Sequence, residues 1–161
     1  MNKEYTIRDL YEIYCEAMPR YPLAYERFRD ILHKDNSQIF TAEDSKTIIG
    51  FIVVNSNFVV ILCVKKEYRH SGYGKHLLIM AEGFISANYD EVILGGGGLL
   101  QGVPCDNDEE SSVPFFEKRG YSADFTSVNM GLELNEKAVE KLKEIPVSYT
   151  HLRAHETCAD L

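Results

Sequence analysis

Two apolar runs leave this chain few folds to choose from. "TIIGFIVV" (Thr47 to Val54) and "FVVILCV" (Phe58 to Val64) are almost unbroken, rich in β-branched residues, and separated only by "NSN". β-Branched side chains suit a pleated surface, and a strand without polar alternation is one with both faces covered. A connection this short joins antiparallel neighbours. "SQIFTA" (Ser37 to Ala42) precedes them across "EDSK" and reads as a further strand of the same meander.

Helical signals flank the meander. Thr6 followed by Asp9 forms a capping-box pattern, and Leu10, Ile13, Tyr14, Ala17 and Met18 repeat at helical spacing. "PRYP" (Pro19 to Pro22) breaks that helix, and Tyr25, Phe28, Ile31 and Leu32 line one stripe of a second. After the meander, Leu77, Leu78, Ala81, Phe84 and Ile85 predict an amphipathic helix over Gly74 to Asn88. "DEVIL" (Asp90 to Leu94) then reads as a short strand, parallel to its predecessor because a helix connects them. "GGGGLLQGVPCDNDEESS" has no periodicity and reads as a loop. "VPFFEKRGY" reads as a short helix closed by Gly120 in a left-handed cap. "SVNMGLEL" predicts another strand, and "NEKAVEKLKEI" a helix capped by Asn135.

Bulk composition narrows the function classes. The chain has 161 residues, 45% hydrophobic and 26% charged, which suits one soluble domain with a real core. A net charge of −8 disfavours nucleic acid, whose phosphates select basic faces. The cysteines Cys15, Cys63, Cys105 and Cys158 are far apart, with no CxxC pair or ligand-spaced histidines. Reduced thiols without a metal site follow. No signal-peptide core and no membrane-spanning apolar run is evident, so the expected setting is cytoplasmic, without membrane or nucleic-acid partners. "VSYTHLRAHET" resembles translated adaptor read-through, so residues 146–161 are expected to be a non-native or disordered tail. Residues 1–145 would be one domain, and a read-through tail would mean that the natural protein continues past about Ile145.

The chemistry centres on "CVKKEYRHSGYGKHLL" (Cys63 to Leu78), which leads from a strand through a turn into a helix. The phosphate-loop pattern GxxxxGK[ST] fails here, because Arg69 stands where its first glycine would be and His76 replaces the hydroxyl residue. The dinucleotide pattern GxGxxG fails too, since Leu77 takes its third glycine. What remains is Arg-x-x-Gly-x-Gly at a helix N-terminus. Glycines let successive backbone N–H groups converge, and the helix dipole adds about half a positive charge. Arg69 and Lys75 add full charges at the rim. Taken alone, the turn fits an anion nest or a purely structural corner.

In its strand–turn–helix setting, "LCVKKEYRHSGYGKHLL" resembles the acyl-CoA-binding motif of the GNAT superfamily of N-acetyltransferases. "FFEKRGY" is similar to that family's "FYxKxGF", and the element order agrees over about residues 5 to 134. "ILGGGGLLQGVP" with "FFEKRGY" resembles an uncharacterised bacterial branch, often of two domains. The resemblance implies an α/β fold whose mixed, mostly antiparallel sheet is splayed between its fourth and fifth strands and flanked by helices. It implies acetyl-CoA as cosubstrate, no metal, and a small-molecule or peptide amine as acceptor. A homodimer or a missing second domain is the further partner it suggests.

Position by position, Arg69, His70, Ser71, Gly72, Tyr73 and Gly74 match the pyrophosphate cradle, with Lys75 at its rim. Backbone groups of Leu62, Cys63 and Val64 would pair with the pantetheine arm, and an N–H there would polarise the thioester carbonyl. Cys63 itself reads as a small buried strand residue. Phe116 stands where the family often has a tyrosine acid, and a phenyl ring gives no proton. Tyr121 offers a hydroxyl or is a core aromatic. Glu109 stands where an asparagine is common. The candidate bases are Glu67 at the strand end and Asp106, Asp108, Glu109 and Glu110 in the loop, Glu67 and Asp106 being the leading pair. The implied reaction is direct attack of a primary amine on acetyl-CoA in a ternary complex. A non-catalytic acyl-CoA-binding or sensory domain is the alternative, as is the interaction half of a truncated two-domain acetyltransferase.

Overall fold

A computed structural model of the chain describes residues 5–96, 103 and 112–123. The predicted strand "SVNMGLEL", the helix at Asn135 and the tail lie outside the described residues, so the 1–145 boundary does too. Two helices come first, α1 (Ile7–Ala17) and α2 (Tyr25–Leu32). α1 starts where the sequence places it. The Thr6 amide donates to the Asp9 carboxylate at 2.7 Å and the Asp9 amide to Thr6 Oγ1 at 3.2 Å. That reciprocal pair satisfies two donors that a helix start leaves open, and it holds the Asp9 carboxyl below its usual range.

Strands β1 (Ser37–Asp44), β2 (Thr47–Asn55) and β3 (Phe58–Val64) form the expected antiparallel meander. After a single 3-10 turn, Lys66–Tyr68, the chain enters α3 (Tyr73–Ile85) and returns as β4 (Ile93–Leu94), parallel to β3. The sheet order is β1-β2-β3-β4, and α4 (Val113–Glu117) follows. This is the expected α/β architecture: a mixed four-stranded sheet with helices on its faces. The strand expected at Asp90–Leu94 holds only its last two residues, and Asp90 and Glu91 are exposed. Gly120 closes α4 with φ +89°, as its sequence position predicts.

The sheet has two buried faces. One carries Phe51, Val53, Val60, Ile61 and Cys63 against Leu10, Ile13, Tyr14, Phe28 and Ile31 of α1 and α2. The other carries Ile49, Ile52, Val54 and Val59 against Leu77, Leu78, Ala81 and Ile85 of α3, with Phe116. Phe84 corrects the expected α3 stripe: it is 41% exposed and meets only the edge of the sheet, its ring 5.8 Å from Phe40. Among the described residues, no helix is long and apolar enough to cross a membrane.

β3 does not run evenly. Val53 pairs with Ile61 and Val54 with Val59, so Val60 is an extra residue in the ladder. Side-chain alternation records the same slip, because Val60 and Ile61 both face α1 and α2. Such a bulge bends its strand and raises local twist. Among the described residues, pairing with β4 covers two positions at the same place: Phe58 meets Ile93 and Val59 meets Leu94. Gly95 and Gly96 then take φ +82° and +80°, a conformation that L side chains resist. The bulge and the glycine pair thus meet where the described β3–β4 pairing ends.

Gly50 lies opposite Val64, and a Cβ on it would come 2.8 Å from the Cys63 carbonyl oxygen. The obstacle is backbone, so the strand itself must shift. Gly50→Ala is expected to destabilise the protein by about 1–3 kcal/mol, measured by urea unfolding of the full chain. Gly83, inside α3, has nothing within 4 Å of its Cβ position. Gly83→Ala is expected to add about 0.5–1 kcal/mol through helix propensity. If both changes move stability the same way, the close approach at Gly50 does not constrain the fold.

Candidate functional site

The site is built from backbone at the end of β3 and the start of α3. Lys65 donates its amide to Ile49 O at 2.9 Å, so its backbone groups face β2. Backbone direction alternates along a strand. Cys63 and Ile61 therefore face β2 as well, whereas Leu62 and Val64 face the side that β4 has left. Of the three residues expected to pair with an acyl arm, Leu62 and Val64 present backbone groups to the open edge. Cys63 corrects that expectation, since its groups serve the β2–β3 ladder. Its thiol is buried on the α1 face and pushed up to about 12 by that burial, which leaves it inert as a nucleophile.

Beyond β3 the backbone prepares the start of a helix. His70 and Gly72 both adopt left-handed torsions, φ +62° and +92°, around Ser71. Gly72 is the N-cap of α3, and among the described residues no side chain caps it. The first intrahelical bond runs from the His76 amide to Gly72 O at 3.0 Å. The amides of Tyr73, Gly74 and Lys75 therefore precede the helical ladder and point outward at its positive end. Open space surrounds Gly72, with no atom within 4 Å of a Cβ built there. Outward amides at a helix start are donors of the kind the sequence expects of an anion nest.

Two parts of the expected cradle behave differently. The amide of Arg69 donates to Lys66 O at 3.2 Å and closes the 3-10 turn. Its guanidinium donates to the carbonyls of Val64 and Ala17, both at 3.2 Å. The nest thus runs from His70 to Lys75. At the turn, the Lys75 side chain and the His70 ring are exposed and Arg69 is half-buried.

Aromatic rings line the other side. Tyr73 meets Tyr68 edge-on at 6.1 Å. Phe115 lies 3.6 Å from the Cβ position of Gly74, and the Arg119 guanidinium stacks 3.8 Å over the Phe115 ring while donating to its carbonyl. No local pattern marks Phe115, rather than Phe116, as the ring beside Gly74. Phe116 is buried against Tyr121 and the α3 face of the sheet.

The candidate acid–base groups do not converge on the nest. Tyr121 donates its hydroxyl to Glu82 Oε1 at 2.7 Å. Glu82 sits nine residues beyond Tyr73, about 13 Å along the helix at 1.5 Å per residue. Burial, and then the bond to that carboxylate, raise the Tyr121 hydroxyl above its ordinary value, so it stays protonated on α3. Glu67 is exposed in the 3-10 turn near the end of β3. Asp106, Asp108, Glu109 and Glu110 lie outside the described residues. Among the described residues, no three His, Cys, Asp or Glu side chains group as a metal site would require.

Comparison with known proteins bears on the family and the fold. The acetyltransferase (GNAT) family profile matches residues 7–121. No curated protein matches the chain. Among solved structures, a Pyrococcus furiosus protein named for acetyl transfer superposes with a TM-score of 0.60 at 19% identity, over 82% of this chain and 97% of that one. The glucosamine N-acetyltransferase region of a fungal multi-domain β-N-acetylglucosaminidase gives 0.68 at 22% identity, over 78% of this chain and 17% of that one. An aminoglycoside acetyltransferase from an uncultured soil metagenomic sample, solved with sisomicin, gives 0.56 at 16% identity, over 80% and 88%. At such identities the superpositions speak for the fold alone. The profile spans well over half of the chain, and the protein belongs to the GNAT acetyltransferase family.

Proposed function

We propose that this protein transfers the acetyl group of acetyl-CoA to a primary amine by direct attack within a ternary complex. One observation carries the reading. Among the described residues, the β3 edge at Leu62 and Val64 has no strand partner, and it ends one short turn before a helix N-terminus that no side chain caps. A pantetheine arm is an extended amide chain, and it pairs with a free strand edge as an added strand would. The pyrophosphate at its end then falls on the nest from His70 to Lys75. An outward N–H at Leu62 or Val64 polarises the thioester carbonyl and stabilises the oxyanion that forms there. The amine attacks that carbon, the tetrahedral intermediate collapses, and coenzyme A leaves as its thiolate. A thiol of pKa about 8.5 leaves without a strong acid. The amine, with a pKa near 10, must shed a proton on the way, and Glu67, exposed in the turn after β3, is the described carboxylate offered for it.

Phe116 favours a second reading, a domain that binds acyl-CoA without turnover. The two readings part on one assay. Coenzyme A release from acetyl-CoA is measured over a panel of polyamines, amino sugars, aminoglycosides and peptides. Turnover with any amine supports transfer. Calorimetric binding of acetyl-CoA without turnover supports the binding domain.

The nest is tested by a matched pair of variants. Asparagine and aspartate both tolerate the left-handed torsion at Gly72, but only aspartate adds charge. Gly72→Asp is expected to weaken CoA binding at least tenfold more than Gly72→Asn at low salt, and the gap should narrow as salt rises. Equal losses in the two variants would remove the anion from the nest. Two further changes address acid catalysis. Phe116→Tyr is expected not to raise kcat, because the ring is buried away from the nest. Tyr121→Phe should leave the pH profile of kcat unchanged, because the hydroxyl serves Glu82. A gain of tenfold in the first, or loss of the alkaline limb in the second, would return that residue to the reaction.

A further inference from the structure

Arg69 has the charge of an anion ligand, yet its guanidinium is turned the other way. Nε donates to the carbonyl of Val64 and one Nη to that of Ala17. Val64 ends β3 on the open edge, and Ala17 is the last residue of α1. The final carbonyls of a helix lack intrahelical partners and carry its negative pole, so a guanidinium there satisfies an acceptor and the dipole together. A second tie lies beside the first, where the Lys66 amide donates to Glu16 Oε1 at 3.2 Å.

The chain from Met18 to Ala24 behaves as an extension of α1. Tyr14 donates its hydroxyl to Tyr21 O and Tyr11 donates to Leu23 O, both at 2.7 Å. The Met18 and Tyr21 amides are bonded locally, to Tyr14 O and Met18 O. Whatever moves the end of α1 moves this connection with it. Arg69 spans the gap between that unit and the β3 edge, while its own backbone leads into the nest.

We propose that Arg69 is a positioning residue that fastens the α1–α2 connection to the open edge of β3, so that filling the edge orders the connection. The ligand that fills the edge is coenzyme A on the reading above; the fastening itself does not depend on that reading. A direct phosphate contact is the competing role, and it would leave the connection unaffected.

Hydrogen exchange of the full chain, with and without saturating CoA, separates the two. In the ligand-free protein, Arg69→Gln is expected to speed exchange at Met18, Tyr21 and Lys66 at least fivefold, with the α3 amides beyond Leu78 unchanged. Adding CoA to the wild type should slow both 70–75 and 18–23. In Arg69→Gln it should slow 70–75 alone, and Arg69→Lys, with one donor head, should fall between. Glu16→Gln should speed the same segment by a smaller factor, and it decides the matter if Arg69→Gln exchanges globally. Unchanged exchange at 18–23 in these variants would overturn the proposal. So would loss of CoA protection at 70–75 in Arg69→Gln with ligand-free exchange at 18–23 unchanged, which is the mark of a phosphate contact. If CoA slows nothing in the wild type, the cofactor reading fails, and the ligand-free comparison still decides the fastening.

Discussion

The separation of β3 from β4 is the constraint on which the site depends. Two ordinary neighbours in a sheet satisfy each other's backbone groups along their whole length. Here the described pairing ends at Val59 and Leu94, where Val60 bulges on one strand and Gly95 and Gly96 take left-handed torsions on the other. Among the described residues, Leu62 and Val64 are left as an edge beyond it. An exposed edge is ordinarily a liability that proteins cover or blunt. This one is kept short, and Arg69 occupies the Val64 carbonyl.

Much of this was legible in the residues. The buried runs at 47–54 and 58–64 declare strands by composition, and Thr6 with Asp9 declares a helix start by spacing. Both are local signals that tertiary packing had no reason to override. The glycine turn was legible as an anion nest because Gly72 stands at a strand-to-helix junction, and its torsion is the one only glycine takes easily. Other features had no local signature. Val60 is one β-branched residue in a β-branched run, so nothing marks it as the bulge. Phe84 has the right spacing for the α3 stripe, and only the limited reach of the sheet leaves it exposed. Arg69 meets Ala17 across 52 residues of sequence and Tyr121 meets Glu82 across 39. Both polar partners are invisible to any pattern read along the chain. The choice between Phe115 and Phe116 at the nest is likewise a matter of how α4 packs.

Three side chains that could have entered the chemistry are held elsewhere. Cys63 is buried, Phe116 is core and Tyr121 is bound to Glu82. On the proposed reaction the protein contributes mainly geometry, holding a thioester beside a fixed dipole and an amine. Such a division suits a reaction whose leaving group is already a good one.

Because the donors at this site are amides, side-chain truncation leaves them in place. Alanine substitutions at Leu62, Ser71, Tyr73 or Lys75 would remove packing or charge and spare the N–H groups themselves. A conventional scan would therefore report a site nearly silent except at Arg69. The residues that hold its shape are those with unusual torsions or an extra place in the ladder: His70, Gly72, Gly95, Gly96 and Val60. A site of this kind is inherited as a path of the backbone, and its sequence can drift widely while the path is kept.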